Sequence, residues 1–240
     1  MHDLIAILGR GIQFLPDGTT WALTEDLEMM GVDSGHRRVR VPVDDNDPYC
    51  MIGGGEANQL AGRLLIKECA PKVVVCAYGH RAKYLEPDCP TESEVMGEQL
   101  APYIPSGCEL VTWERNRYPV PLVPSNTRQE MLNVLDLALE QKLMRIAFLA
   151  IGVHVPRAAT YLAKHMSVYR TKYGGLNPVI LETEEILLGF NRDLYTPRVE
   201  AIRASQAFTR NWSGENRESA GISKIVRDVY GDTKPLVVTT

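Results

Sequence analysis

The sequence predicts an α/β fold with a mainly parallel sheet, and two observations support this. Short apolar runs, typical of strands buried on both faces, alternate along the chain with segments whose apolar residues recur at helical spacing. Strands and helices that alternate in this way form right-handed crossovers, and these make the strands parallel. The chain has 240 residues, enough for a full core, so we expect one domain over residues 1–240.

The first predicted strand is Leu4–Leu8, and the turn Gly9-Arg10-Gly11 follows it. Residues 12–48 show no regular period apart from Arg37–Val41, which alternates like an exposed strand. The acidic loop Asp44–Asp47 is interpreted as solvated turn residues, with a divalent-cation site as the alternative. The next elements are a helix at Glu56–Glu68, a strand at Lys72–Ala77, a helix from Thr91 to Tyr103, a strand at Gly107–Trp113, a helix at Arg128–Lys142, a strand at Ile146–Ile151 and a helix at Arg157–Lys164. In the C-terminal part, the residue pattern predicts strands at Met166–Tyr169, Pro178–Leu181 and Leu236–Thr239. It also predicts helices at Glu182–Leu188, Arg198–Thr209 and Ser219–Val229.

Composition narrows the class of protein. A net charge of −4 argues against a general nucleic-acid binder, which needs a basic face. The five cysteines include no C-x-x-C pair, so we interpret them as reduced thiols and predict no metal site. A zinc site is the alternative, but the spacing of the cysteines and histidines does not support it. No apolar run approaches the roughly 20 residues that span a bilayer, and the N-terminus shows no basic leader. We therefore expect a cytoplasmic protein without a membrane segment.

Polar side chains follow the ends of the predicted strands. Because parallel strands end at one edge of a sheet, these residues should converge there. They are Arg10, His80, Arg81, Ser93, Glu94, Glu114, Arg115, Asn126, Thr127, His154 and Arg157. Arginines and helix N-termini both favour anions, so this edge suits a phosphate, a carboxylate or a nucleotide-like ligand.

The order of these motifs resembles the YdcF-like domain-of-unknown-function family, the group that includes ElyC and SanA. The motifs that carry the resemblance are Gly9-Arg10-Gly11, Arg63 on the first helix, Ser93-Glu94, Ser125-Asn126-Thr127 and His154-Val-Pro-Arg157-Ala158. They place the family-like core at about residues 4–165 and leave 166–240 as a C-terminal extension. The chain departs from the family at Ala77–His80, where Ser-Gly-Gly is usual, and at Glu130, where asparagine is frequent. The resemblance implies a Rossmann-like three-layer sandwich with helices on both faces, and S-adenosylmethionine as a ligand.

Three hypotheses follow for function. The first is a transferase or hydrolase acting on a phosphorylated or nucleotide-linked small molecule, with His154 as general acid or base and Glu94 orienting it or taking a proton. The ligand-binding residues would be Gly9, Arg10, Gly11, Arg63, Ser93, Asn126, Thr127 and Arg157. The second is a non-catalytic ligand-binding or regulatory protein with the same cleft. In the third, His154 caps a turn, Glu94 and Glu130 cap helices, and the arginines are surface charges. Whether the chain is an enzyme stays open, and a homo-oligomer is compatible with the sequence.

Overall fold

The computed structural model describes residues 2–16, 20–32, 38–77, 90–112 and 127–213. In chain order, the strands are β1 (Leu4–Ile7), β2 (Ile12–Phe14), β3 (Trp21–Leu23), β4 (Leu27–Glu28), β5 (Met30–Val32), β6 (Arg38–Arg40), β7 (Met51–Ile52), β8 (Val73–Cys76), β9 (Glu109–Thr112), β10 (Arg145–Ala150) and β11 (Asn177–Glu182). The helices are α1 (Gly55–Cys69), α2 (Glu92–Leu100), α3 (Thr127–Glu140), α4 (Val155–Val168), α5 (Arg170–Tyr173), α6 (Thr183–Phe190) and α7 (Arg192–Ala204), with 3₁₀ turns at Ala101–Tyr103 and Gly152–His154. Residues 206–213 form a further helical segment, called here segment 206–213.

Five parallel strands form the central sheet in the order β11-β10-β1-β8-β9. From β1 the chain moves outward through β8 and β9, then returns to place β10 on the other side of β1. The direction of winding therefore reverses between β1 and β10. In open α/β sheets, ligands bind at the carboxyl ends of the strands beside such a reversal. This topology predicts a ligand site at the turns that follow β1 and β10.

Helices cover both faces of the sheet, which confirms the predicted three-layer α/β sandwich. On one face, Leu4 and Phe148 pack in a buried cluster with residues of α3 and α4. On the other face, Ile5 and Leu149 pack with residues of α1, α2 and α6. Every residue of β1 is buried for this reason, as its unbroken apolar sequence predicts. Burying each leucine or isoleucine side chain of this strand contributes about 1.5–3 kcal/mol of transfer free energy.

One predicted strand in the described residues is wrong. The pattern predicts a strand at Met166–Tyr169, but α4 continues through this stretch to Val168. The buried residues of α4 include Ala158, Leu162 and His165, which recur at helical spacing. A 3.6-residue period thus outweighs the short β-prone stretch. The elements predicted at Ser219–Val229 and Leu236–Thr239 lie outside the described residues.

The region between β1 and α1, irregular in sequence, forms two small β-sheets. One has the order β3-β2-β6-β5, and the other pairs β4 with β7. Strands of two or three residues carry too little alternation to be predicted, although β6 confirms the strand expected at Arg37–Val41. The Arg198 side chain on α7 binds both carboxylate oxygens of Asp26 at 2.7 Å, which joins this region to the C-terminal helices. In the part of the chain described here, no helix combines the length and apolar character needed to cross a bilayer.

Candidate functional site

The turn after β1 binds a carboxyl group, and that group belongs to a side chain of the protein. Glu92 Oε1 accepts hydrogen bonds from the backbone N–H groups of Arg10 and of Gly11, the latter at 2.7 Å. A Cβ atom on Gly9 would lie 2.5 Å from Glu92 Oε2, so only glycine allows the carboxylate to approach this closely. The backbone N–H groups of Arg10 and Gly11 in this turn are therefore already bound within the chain.

Glu92 is the first residue of α2 and is almost completely buried, with 1% of its surface exposed. Burial raises the pKa of Glu92 to about 7, although the N–H groups of Gly11 and Arg10 and the charge of Arg10 act in the opposite direction. Near neutral pH this carboxyl group is therefore divided between its two protonation states. The sequence reasoning missed Glu92, because an acidic residue in the first turn of a helix is equally well explained by the helix dipole.

Ser93 and Glu94, both predicted to serve the site, have structural contacts. The buried Ser93 hydroxyl donates to Cys76 O, the last carbonyl of β8, at 2.6 Å. Glu94 accepts from the Thr91 N–H while its own N–H donates to Thr91 Oγ1 at 3.1 Å. This reciprocal pair confirms the capping box, the structural alternative for Glu94.

Arg63 points towards α2. Its guanidinium Cζ lies 4.2 Å from the centroid of the Tyr103 ring, and Nη2 donates to Gln59 Oε1 at 3.1 Å. Helix α1 begins near the carboxyl edge at Gly55, and Arg63 lies about 12 Å further along its axis. The structure therefore does not bring Arg63 to the ends of β1 and β10.

His154 is the centre of a polar group that the structure does bring together. It ends the 3₁₀ turn after β10 and stands at the N-cap position of α4 without a capping hydrogen bond from its side chain, and 2% of its surface is exposed. Its Nε2 lies 2.9 Å from Thr127 Oγ1 and 3.1 Å from Arg157 Nη2. Because a guanidinium can only donate, Nε2 accepts, and the neutral ring carries its proton on Nδ1. Nδ1 is buried and has no hydrogen-bond partner among the described residues.

Electrostatics keep this imidazole neutral. Burial, together with the positive charges of Arg10 and Arg157, holds the pKa of His154 well below its usual range. Arg10 is held in place by two backbone carbonyls: its Nη2 donates to Ile52 O and its Nε to Gly53 O, each at 2.8 Å. The charges of Arg10 and Arg157 both act on the His154 ring, and positive charge there favours an anion.

A second buried carboxyl group holds the end of β10. Glu184, in the first turn of α6, accepts the Gly152 N–H at 2.7 Å through Oε2. Burial and the neighbouring charge of Glu182 raise the pKa of Glu184 to about 7. The turns after β1 and β10 are therefore both fixed by glutamates from helix starts.

Among the predicted site residues, the structure brings Thr127 and Arg157 into contact with His154, and the charge of Arg10 acts on the same ring. Gly9 and Gly11 shape the turn that carries Arg10. Asn126 lies outside the described residues, as do His80, Arg81, Glu114 and Arg115. Across the described ranges, no three His, Cys, Asp or Glu side chains converge as metal ligands would.

No family model, no curated protein and no solved structure matches this chain. The resemblance to the YdcF-like family therefore stays a prediction.

Proposed function

We propose that this protein binds a small anionic or nucleotide-like molecule at the carboxyl ends of β1 and β10. The observation that carries the proposal is the neutral, buried His154, whose Nδ1 has no partner among the described residues and whose ring lies in the field of Arg10 and Arg157. An unsatisfied buried donor costs about 1–3 kcal/mol, and a phosphate or carboxylate oxygen of a ligand would remove that cost. S-adenosylmethionine is one ligand to test, since its carboxylate could meet the same groups.

Catalysis by His154 is part of this proposal. Its Nε2 lies 2.9 Å from the Thr127 hydroxyl, and the lone pair that accepts from Arg157 Nη2 could accept a proton once the guanidinium binds an anion instead. An anion bound between the two arginines would offset their charges and raise the pKa of the imidazole towards neutrality. His154 would then act as acid or base only when the substrate is bound, in a transferase or hydrolase reaction on a phosphorylated compound.

Non-catalytic binding is the alternative, and one observation favours it. The pKa of His154 lies well below its usual range, so the ring is a hydrogen-bond donor at neutral pH and a weak proton acceptor. A binding or regulatory protein needs nothing more from it.

Calorimetric titration with inorganic phosphate, AMP and S-adenosylmethionine tests the binding. We expect the wild type to bind at least one of them, and Arg157→Gln to weaken that binding about tenfold or more, because a charged hydrogen bond is lost. Lys164→Gln is the matched control: it removes the same charge from the same helix, further along α4, and should leave the affinity unchanged. If none of the three compounds binds, the proposal is rejected.

Product formation separates the two forms of the proposal. Phosphorus NMR of AMP, or of a phosphate monoester, incubated with the protein would show any hydrolysis. Turnover that His154→Ala abolishes, with the fold retained, supports the catalytic role. Binding without turnover supports the non-catalytic form.

A further inference from the structure

The segment before α1 connects Arg10 to the C-terminal part of the chain. The Ile52 N–H donates to Asn211 Oδ1 at 3.2 Å, and Ile52 O accepts from Arg10 Nη2 at 2.8 Å. A single residue, Ile52, therefore lies between the guanidinium and segment 206–213. The next carbonyl, of Gly53, accepts Arg10 Nε at 2.8 Å.

Segment 206–213 is itself firmly attached to this part of the protein. Asp45 Oδ2 and Oδ1 accept the N–H groups of Gln206 and Ala207 at 2.7 and 2.8 Å. Arg210 Nη2 donates to Cys50 O at 2.9 Å. The carboxylate of Asp45 thus caps a helix start, where negative charge is favourable. This contact corrects the interpretation of Asp45 as a solvated turn residue.

Apolar packing joins the same segment to the turn that carries His154. Ile52 and Ala207 belong to one buried cluster with Ile151 and Val153, which immediately precede His154 along the chain. Gly54 has a φ of +90°, and a Cβ there would lie 2.7 Å from Ile151 Cγ2. The carbonyls that hold Arg10 are therefore packed against the end of β10 on one side and segment 206–213 on the other.

We propose that Asn211 is a positioning residue for Arg10, acting through the Ile52 backbone to hold the guanidinium in place. The inference rests on the proposed anion site. An arginine side chain loses up to about 2 kcal/mol of conformational freedom when it is ordered, so carbonyls fixed in advance improve the affinity of the site. The C-terminal extension would then set the affinity for anions without contacting the ligand.

Asn211→Ala and Asn211→Asp test this role together. Alanine removes the acceptor of the Ile52 N–H, whereas aspartate keeps an oxygen in the same place. We expect the alanine variant to bind its best probe among inorganic phosphate, AMP and S-adenosylmethionine about fivefold more weakly, and the aspartate variant to regain most of that loss. Thr209→Ala, on the exposed side of the same segment, should bind as the wild type does.

NMR gives a second readout that needs no ligand. Hydrogen exchange of the Ile52 amide and of the Arg10 Nε–H should accelerate in the alanine variant and return towards the wild-type rates in the aspartate variant. Unchanged Arg10 Nε–H exchange in the alanine variant overturns the inference, as does loss of affinity that aspartate does not restore. If the wild type binds no probe, the proposed function fails, and the Arg10 exchange rates alone decide the positioning role. Should the alanine variant not fold, Asn211→Leu removes the acceptor at nearly constant volume.

Discussion

Replacing Glu92 by glutamine should remove a pH-dependent loss of stability. The glutamine oxygen can still accept the N–H groups of Arg10 and Gly11, but the side chain no longer ionises. Burial raises the pKa of Glu92 from 4.5 to about 7, so the folded protein holds this proton more tightly than the unfolded chain. The stabilisation is fully present below pH 4.5 and is lost as the pH rises through about 7.

The magnitude follows from the size of that shift. At 1.36 kcal/mol per pKa unit, the raised pKa of this fully buried group corresponds to about 3 kcal/mol. We therefore expect the free energy of unfolding of the wild type, relative to Glu92→Gln, to fall by about 3 kcal/mol between pH 4 and pH 8.

Urea unfolding followed by tryptophan fluorescence at a series of pH values would measure this difference. Gln99→Ala, on the same helix, changes no titrating group, so its difference from the wild type should not depend on pH. A constant difference between wild type and Glu92→Gln over the whole range would refute the reasoning, because it would mean that the carboxyl group ionises equally easily in both states.

Further predictions concern three other positions. Glu184→Gln should show the same pH dependence as the Glu92 variant, since burial also raises the pKa of this carboxyl to about 7; the same urea series measures it, and a flat difference would contradict it. Burial lowers the pKa of His165 to about 4, so its contribution to stability is lost as the pH falls from 6.5 through 4. We therefore compare the free energy of unfolding of His165→Gln with that of the wild type. This difference should favour the variant by about 2–3 kcal/mol more in acid than at pH 8. Gly9→Ala should destabilise the protein by about 1–3 kcal/mol in thermal unfolding, because the new Cβ would lie 2.5 Å from the Glu92 carboxylate. Gly189→Ala, where a Cβ meets nothing within 4 Å, is its control and should be neutral or slightly stabilising.

The central fold could be predicted because its signals are local and repeated. The run Leu4–Ile7 is apolar throughout because both of its faces are covered, and α1 and α3 show their buried stripes over 15 and 14 residues. Apart from β6, the strands of the small sheets between β1 and α1 could not be predicted, since each of them has only two or three residues. The stretch Met166–Tyr169 shows the opposite error, in which a local strand preference yields to a helix that is packed along its whole length.

The candidate site was predicted where its residues are neighbours in sequence. His154 and Arg157 lie one helical turn apart, so their contact can be read from spacing alone. Glu92 and Glu184 could not be found in this way, because the backbone groups that they bind are 82 and 32 residues away along the chain. Nothing in the sequence distinguishes an acid that caps its own helix, such as Glu94, from one that reaches a distant turn.

The contact between Gly9 and Glu92 restricts which substitutions the two positions can accept during evolution. A side chain at position 9 would occupy the volume that the carboxyl group of residue 92 now fills. Position 9 can therefore not change alone: in related chains, a larger residue there should occur only with a shorter one at position 92. The residue types at the two positions should therefore be correlated.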